Sequence, residues 1–155
     1  MRYLNKIVFI NSAAIRYSEV QLDGNIHLIG TQGVGKSTIL RAILFFYNAD
    51  TQRLGIPVEK KSYQDYYFPY ADSSIIYEVA REDGWFTVLS YKTMNRICYR
   101  FIASPYRPDL FIDEEGAPYP SDRIRSVLDK NGIKYSGAIS TYEEYRNILY
   151  GCLLY

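Results

Sequence analysis

The most constraining feature of this sequence is a glycine-rich octapeptide that lies between two apolar segments. The apolar residues 25–29 precede it, and a helical pattern begins at Ser37. It matches G-x-x-x-x-G-K-[ST], the phosphate-binding loop that joins a strand to a helix. Its members are Gly30, Thr31, Gln32, Gly33, Val34, Gly35, Lys36 and Ser37. Because both flanking segments have the required character, we predict that this loop binds the phosphates of a nucleotide.

Each residue type in the loop has a physical reason to be there. Glycines let the backbone form a nest whose N–H groups, together with the helix N-terminus, point at phosphate oxygens. We predict that Lys36 bridges the β- and γ-phosphates and that the Ser37 hydroxyl binds Mg²⁺. The next residue, Thr38, is placed to reach the α-phosphate.

Composition places this loop in a single globular domain that spans residues 1–155. A chain of 155 residues with 48% hydrophobic content is long enough for one core. Its net charge of +1 excludes a strongly basic nucleic-acid module, and Cys98 and Cys152 form no metal-binding or disulfide pattern. Because no apolar run is long enough for a membrane span or a signal peptide, we predict a cytoplasmic protein without a membrane partner.

The pattern along the chain is that of an α/β protein with an antiparallel meander. We predict strands at residues 6–10, 18–22, 25–29, 74–81, 85–91, 96–103 and 110–112. The helix from Ser37 has only Arg41 as a clearly polar residue in its middle and is predicted to be packed nearly all round. Residues 48–73 indicate a long loop with a short helix at most. Two further helices are predicted to begin near Ser121 and at Thr141.

Tyrosine is unusually frequent, with 17 copies in the chain. A tyrosine ring buries a large apolar area while its hydroxyl requires a hydrogen-bond partner. This combination suits half-buried sheet surfaces and interfaces. We therefore predict structural roles for most of the tyrosines.

Nucleotide hydrolysis would also need a carboxylate on a strand to complete the magnesium shell. Asp113 and Glu114 follow the short apolar run 110–112 and are the candidates for this role. The residues around them, with Pro108 before and Gly116 after, instead favour a hairpin tip with solvated acids. A GTPase is disfavoured, because no Asn-Lys-x-Asp segment follows the loop.

Residues 7–47, which carry the glycine-rich loop, resemble the start of the ATPase heads of SMC, RecF and MukB-like proteins. Later segments resemble the N-terminal head portion of MukB-like and Wadjet-type condensin ATPases. These segments are Tyr67-Phe68-Pro69-Tyr70, residues 74–79, residues 111–113 and residues 145–151. The fold implied by this resemblance is a P-loop NTPase, the N-terminal half of an ABC/SMC-type head.

The resemblance also implies cofactors and partners. ATP and Mg²⁺ would bind residues 30–38, and the turn at Asn11 and Ser12 would approach the base. The C-terminal half of the head, or a second head, would be a partner and would supply the remaining catalytic motifs. The complete assembly would contact DNA, with Arg53, Lys60 and Lys61 as candidate phosphate contacts.

The sequence leaves several alternatives open. We expect a fragment of a longer split head that binds ATP without hydrolysing it efficiently. The first alternative is a self-contained small P-loop NTPase or kinase that uses Asp113 or Glu114 for magnesium. The second is an interaction module in which the glycine-rich loop is only a structural turn.

Overall fold

One antiparallel sheet organises the part of the chain that the computed structural model describes, which is residues 3–22, 35–48, 63–94 and 96–154. Within these ranges, five strands are arranged in the order β2-β1-β3-β4-β5. The strands are β1 (Tyr3–Ser12), β2 (Ile15–Gln21), β3 (Ser74–Arg81), β4 (Gly84–Thr93) and β5 (Arg96–Ile102). The helices are α1 (Lys36–Asn48), α2 (Tyr63–Tyr67), α3 (Ser121–Lys130) and α4 (Tyr142–Leu154).

The sheet has an apolar cluster on each of its faces, because successive residues of a strand point in opposite directions. In β1, Ile7 and Phe9 belong to the cluster that also contains buried residues of α1, α2 and α4. Their neighbours Val8 and Ile10 belong to the other cluster, with residues 110–111 and α3. The sheet therefore separates α1 and α4 on one side from α3 and residues 108–112 on the other.

Most of the predicted elements are present. The meander predicted at residues 74–103 is confirmed as β3, β4 and β5. The strand predicted at residues 6–10 lies within β1, and the one predicted at 18–22 overlaps β2 and extends one residue beyond it. Helices begin at Ser121 and Tyr142, as predicted to within one residue, and α2 is a short helix of the kind that the prediction for residues 48–73 allowed. The strand predicted at residues 25–29 lies outside the described residues and stays a prediction.

The strand predicted at residues 110–112 is wrong. A 3-10 turn covers Pro108–Leu110, and the Phe111 N–H donates to the Pro108 carbonyl at 3.0 Å. Only Ile112 pairs, in an isolated bridge with Pro118. Proline fixes its own φ near the value that a helical first turn requires and so favours the turn. The run is apolar because Leu110 and Phe111 are buried on the α3 side of the sheet.

Helix α1 is buried on one side rather than on every side. Ile39, Ala42 and Phe46 are fully buried against the sheet. Leu40 and Leu44, one helical turn apart, are 42% and 45% exposed. The prediction of an all-round core helix is therefore wrong for this stripe.

A buried carboxylate fixes the chain on the α3 side of the sheet. Glu78 of β3 is 5% exposed, and its Oε2 accepts a hydrogen bond from the Tyr106 backbone N–H at 2.7 Å. Its Oε1 accepts one from Asn5 Nδ2 at 2.8 Å. Because a buried carboxylate without partners is costly, these bonds hold the segment that leads into the 3-10 turn against this face.

The structure describes the side chain of one of the two cysteines. Cys98 is a buried free thiol in β5. Burial raises the pKa of this thiol, which keeps it protonated and unreactive. The side chain of Cys152 lies outside the described residues. No described helix has both the length and the hydropathy needed to cross a membrane.

Candidate phosphate-binding site

The described part of the glycine-rich loop forms the beginning of α1. The Ile39 N–H donates to the Gly35 carbonyl at 3.2 Å, so the helix begins directly after Gly35. Lys36 and Ser37 are the first two helical residues, and both are exposed. The first N–H groups of a helix have no intrahelical acceptor and carry the positive end of the helix dipole. This end of α1 therefore presents an ammonium group, a hydroxyl and backbone amides suited to an anion.

Thr38, the third residue of α1, is buried, unlike Lys36 and Ser37. Its side chain is only 9% exposed. A Cβ placed on Gly35 would lie 4.0 Å from Thr38 Oγ1, so the hydroxyl is close to the backbone of the loop. The hydroxyl thus lies at the loop end of α1, where the α-phosphate contact was predicted.

The other predicted site residues lie outside the described residues, and their contacts stay predictions. They are Gly30, Thr31, Gln32, Gly33 and Val34 of the loop and the candidate DNA contacts Arg53, Lys60 and Lys61.

Three buried tyrosine hydroxyls hold α1 against the rest of the fold. Each donates a hydrogen bond to a backbone carbonyl of the helix, and the accepting residues are four apart, so they lie on one face. The pairs are Tyr67 with Thr38 at 3.0 Å, Tyr77 with Ala42 at 2.9 Å, and Tyr145 with Phe46. These bonds confirm a structural role for three of the tyrosines.

The chemistry of these hydroxyls follows from their burial. Desolvation raises the pKa of the Tyr67 and Tyr145 hydroxyls above the usual range. Both therefore stay protonated at neutral pH and keep the hydrogen that the carbonyl accepts. The sequence predicted structural tyrosines on half-buried surfaces but not these partners, because every residue has a backbone carbonyl and the sequence does not show which one a hydroxyl contacts.

The turn between β1 and β2 lies beside α2 and has an unusual backbone. Asn11, Ala13 and Ala14 have φ values of 45°, 50° and 64°, in the left-handed region that is costly for residues with a Cβ. The Ala13 N–H donates to the Tyr66 carbonyl at 3.2 Å, and the Ser73 hydroxyl donates to the Asn11 carbonyl. Contacts from residues 66–73 thus stabilise this turn.

A groove of about 570 Å³ opens between this turn and α2. Arg16, Asp65, Tyr66 and Tyr70 are among the residues that line it, and Tyr70 is 64% exposed. Aromatic faces and an arginine suit a planar ring through stacking and cation–π contacts. The groove lies next to the turn at Asn11, which the resemblance implies would approach the base.

The Asp113 carboxylate is engaged within its own turn. Its Oδ1 accepts hydrogen bonds from the backbone N–H groups of Glu115 and Ala117, both at 2.9 Å. The carboxylate thus closes its own tight turn, and Glu114 is exposed beside it. This turn follows the segment packed on the α3 side of the sheet, whereas α1 packs on the other side. The structure therefore argues against Asp113 and Glu114 as magnesium ligands next to Ser37.

A family model matches most of the chain. Residues 11–151 match the family described as "Protein of unknown function (DUF3584)". The chain belongs to the DUF3584 family. DUF3584 is a family of SMC/RecF-like proteins, and the match includes the β1–β2 turn, the glycine-rich loop and the meander. No curated protein and no solved structure matches the chain.

In this DUF3584 chain, Asp113→Ala is expected to leave nucleotide affinity unchanged within about twofold. The substitution removes two hydrogen bonds in an exposed turn, which costs about 1 kcal/mol each or less. Titration with ATP and thermal unfolding of the variant check both effects. Ser37→Ala is the comparison, since it removes the hydroxyl predicted to bind Mg²⁺. A loss of Mg²⁺-dependent affinity in Asp113→Ala equal to that in Ser37→Ala would show that Asp113 acts together with Ser37 in binding Mg²⁺.

Proposed function

We propose that this DUF3584 chain is the ATP-binding N-terminal part of an SMC/MukB-like ATPase head of the Wadjet type. Its cellular role would be DNA handling or defence against plasmids and other foreign DNA. The observation that carries the proposal is the first turn of α1, where Lys36 and Ser37 stand exposed directly after Gly35. Membership of an SMC/RecF-like family supports it independently.

The residues of this turn fit ATP and Mg²⁺. The Lys36 ammonium would hold the β- and γ-phosphates through charge-assisted hydrogen bonds. The Ser37 hydroxyl is a hard oxygen ligand of the kind that Mg²⁺ prefers, and Thr38 would reach the α-phosphate. Bound Mg²⁺ would neutralise phosphate charge.

The proposed partner is the C-terminal half of the head or a second head, which would cover the nucleotide. Lys36 and Leu40 are four residues apart and therefore share a face of α1. Leu40 is 42% exposed. An apolar side chain next to the phosphate-binding lysine supports a partner that contacts both the helix and the nucleotide. DNA contact through Arg53, Lys60 and Lys61 belongs to the same proposal.

ATP hydrolysis by this chain alone is expected to be negligible. Hydrolysis needs a metal-holding acid and a group that positions water. In the described ranges, the two candidate acids follow a segment on the face of the sheet opposite α1. Tight ground-state binding of the phosphates does not by itself speed the chemical step.

The proposal is tested by titrating labelled ATP into the purified 155-residue chain with and without Mg²⁺, while phosphate release and light scattering are followed. We expect saturable, Mg²⁺-strengthened binding, negligible phosphate release and a tendency to self-associate. Absence of ATP binding would contradict the proposal. Sustained turnover by a monomer, lost in Lys36→Ala, would instead favour a self-contained P-loop enzyme.

A further inference from the structure

We propose that Tyr67 is a positioning residue for the phosphate site, and that Tyr66 and Tyr67 together connect this site to the β1–β2 turn. The inference rests on the proposed function, because it assigns residues that hold the nucleotide-binding elements in place. Neither tyrosine is in the glycine-rich motif, and neither needs to touch the nucleotide in order to act.

The first step of the argument is the bond between Tyr67 and Thr38. Tyr67 is fully buried, and its hydroxyl donates to the Thr38 carbonyl at 3.0 Å. A helical carbonyl has two lone pairs and can accept a hydroxyl in addition to its intrahelical N–H. Helix ends fray, so a bond in the first turn raises the fraction of molecules in which that turn is formed.

The second step is that this turn carries the groups that would hold phosphate. Lys36, Ser37 and Thr38 are the first three residues of α1. If their amides and side chains bind only when the turn is formed, the apparent affinity falls with the fraction of competent molecules. Loss of the Tyr67 hydroxyl should therefore weaken nucleotide binding from a distance.

The third step is the second contact of α2. The carbonyl of Tyr66 accepts a hydrogen bond from the Ala13 N–H at 3.2 Å. The rings of Tyr66 and Tyr67 are 4.9 Å apart and nearly perpendicular, at 84°. Two consecutive residues thus bond to the phosphate end of the site and to the turn beside the groove. Nucleotide binding at the first turn of α1 should therefore also stabilise the β1–β2 turn.

The structure provides a matched control. Tyr145 is fully buried and donates the same kind of bond to the Phe46 carbonyl, two turns further along α1. Tyr145→Phe and Tyr67→Phe therefore each remove one hydroxyl that donates to a backbone carbonyl of α1. A purely structural role predicts similar effects of both on stability and none on affinity once the protein is fully folded.

The test measures ATP affinity of the 155-residue chain and its two variants under conditions where unfolding curves show all three to be folded. We expect about fivefold weaker binding for Tyr67→Phe, which corresponds to about 1 kcal/mol, and unchanged binding for Tyr145→Phe. Hydrogen exchange at the Ile39 amide should be faster in Tyr67→Phe only. Equal affinities and equal exchange in the two variants would overturn the inference.

A measurement on the unsubstituted chain tests the connection even if Tyr67→Phe does not fold. ATP should slow hydrogen exchange at the Ala13 amide as well as at Ile39, because Tyr66 and Tyr67 link the two. Protection of Ile39 without Ala13 would overturn the connection while leaving the proposed function intact. If the unsubstituted chain binds no ATP, both the proposed function and this inference fail.

Discussion

Lys36→Ala is expected to abolish ATP binding while the chain stays folded. The side chain is exposed at the start of α1 and contributes nothing to either apolar cluster. Hydrogen bonds to charged groups are worth about 1.5–3 kcal/mol each, and Lys36 would make at least two to phosphate oxygens. Removing both weakens binding by about 100-fold or more.

A control substitution separates a specific phosphate contact from a general loss of positive charge. Lys130→Ala removes the same charge from an exposed position on α3. Titration with labelled ATP should show affinity lost in Lys36→Ala and retained in Lys130→Ala, with similar unfolding temperatures. Equal affinity in Lys36→Ala and the unsubstituted chain would remove this loop from the functional account.

Phe46→Ala should lower the free energy of unfolding by about 3–5 kcal/mol, the usual cost of removing a buried aromatic ring. Phe46 is fully buried, and its ring lies 4.8 Å from that of Tyr77 in β3. The backbone carbonyl that Tyr145 contacts is still present in the variant, so the loss reports on packing. Chemical denaturation followed by circular dichroism measures it.

Leu40→Ala is the matched control on the same helix. Leu40 is 42% exposed, so its truncation removes less buried surface than that of Phe46 and should cost about 1 kcal/mol. Comparable losses for the two variants would contradict the one-sided burial of α1. A large loss for Leu40→Ala alone would mean that the exposed stripe is covered in solution.

The meander could be predicted because its signal is local. In β3, Ile75, Tyr77 and Val79 face the α1 side, and the short run 74–81 is rich in residues that favour strands. The start of α1 at Lys36 could be predicted because its signal is local as well: the motif places a helix directly after the glycine-rich loop.

The features that were missed depend on contacts between distant parts of the chain. An apolar run of three residues, 110–112, could be a strand or a buried turn, and only packing on the α3 side decides. The bond from Tyr145 to Phe46 joins residues 99 positions apart. Leu40 is exposed because the opposite side of α1 packs on the sheet. Since both sides of the helix carry apolar residues, the sequence does not show which side is buried.

The most direct test of the central claim is a map of backbone amide shifts in the isotope-labelled 155-residue chain as ATP and Mg²⁺ are added. The account predicts that the largest shifts occur at Gly35, Lys36, Ser37 and Thr38, and that they are absent in Lys36→Ala. Shifts centred on the Asp113 turn, or none at saturating ATP, would contradict a nucleotide site at the start of α1.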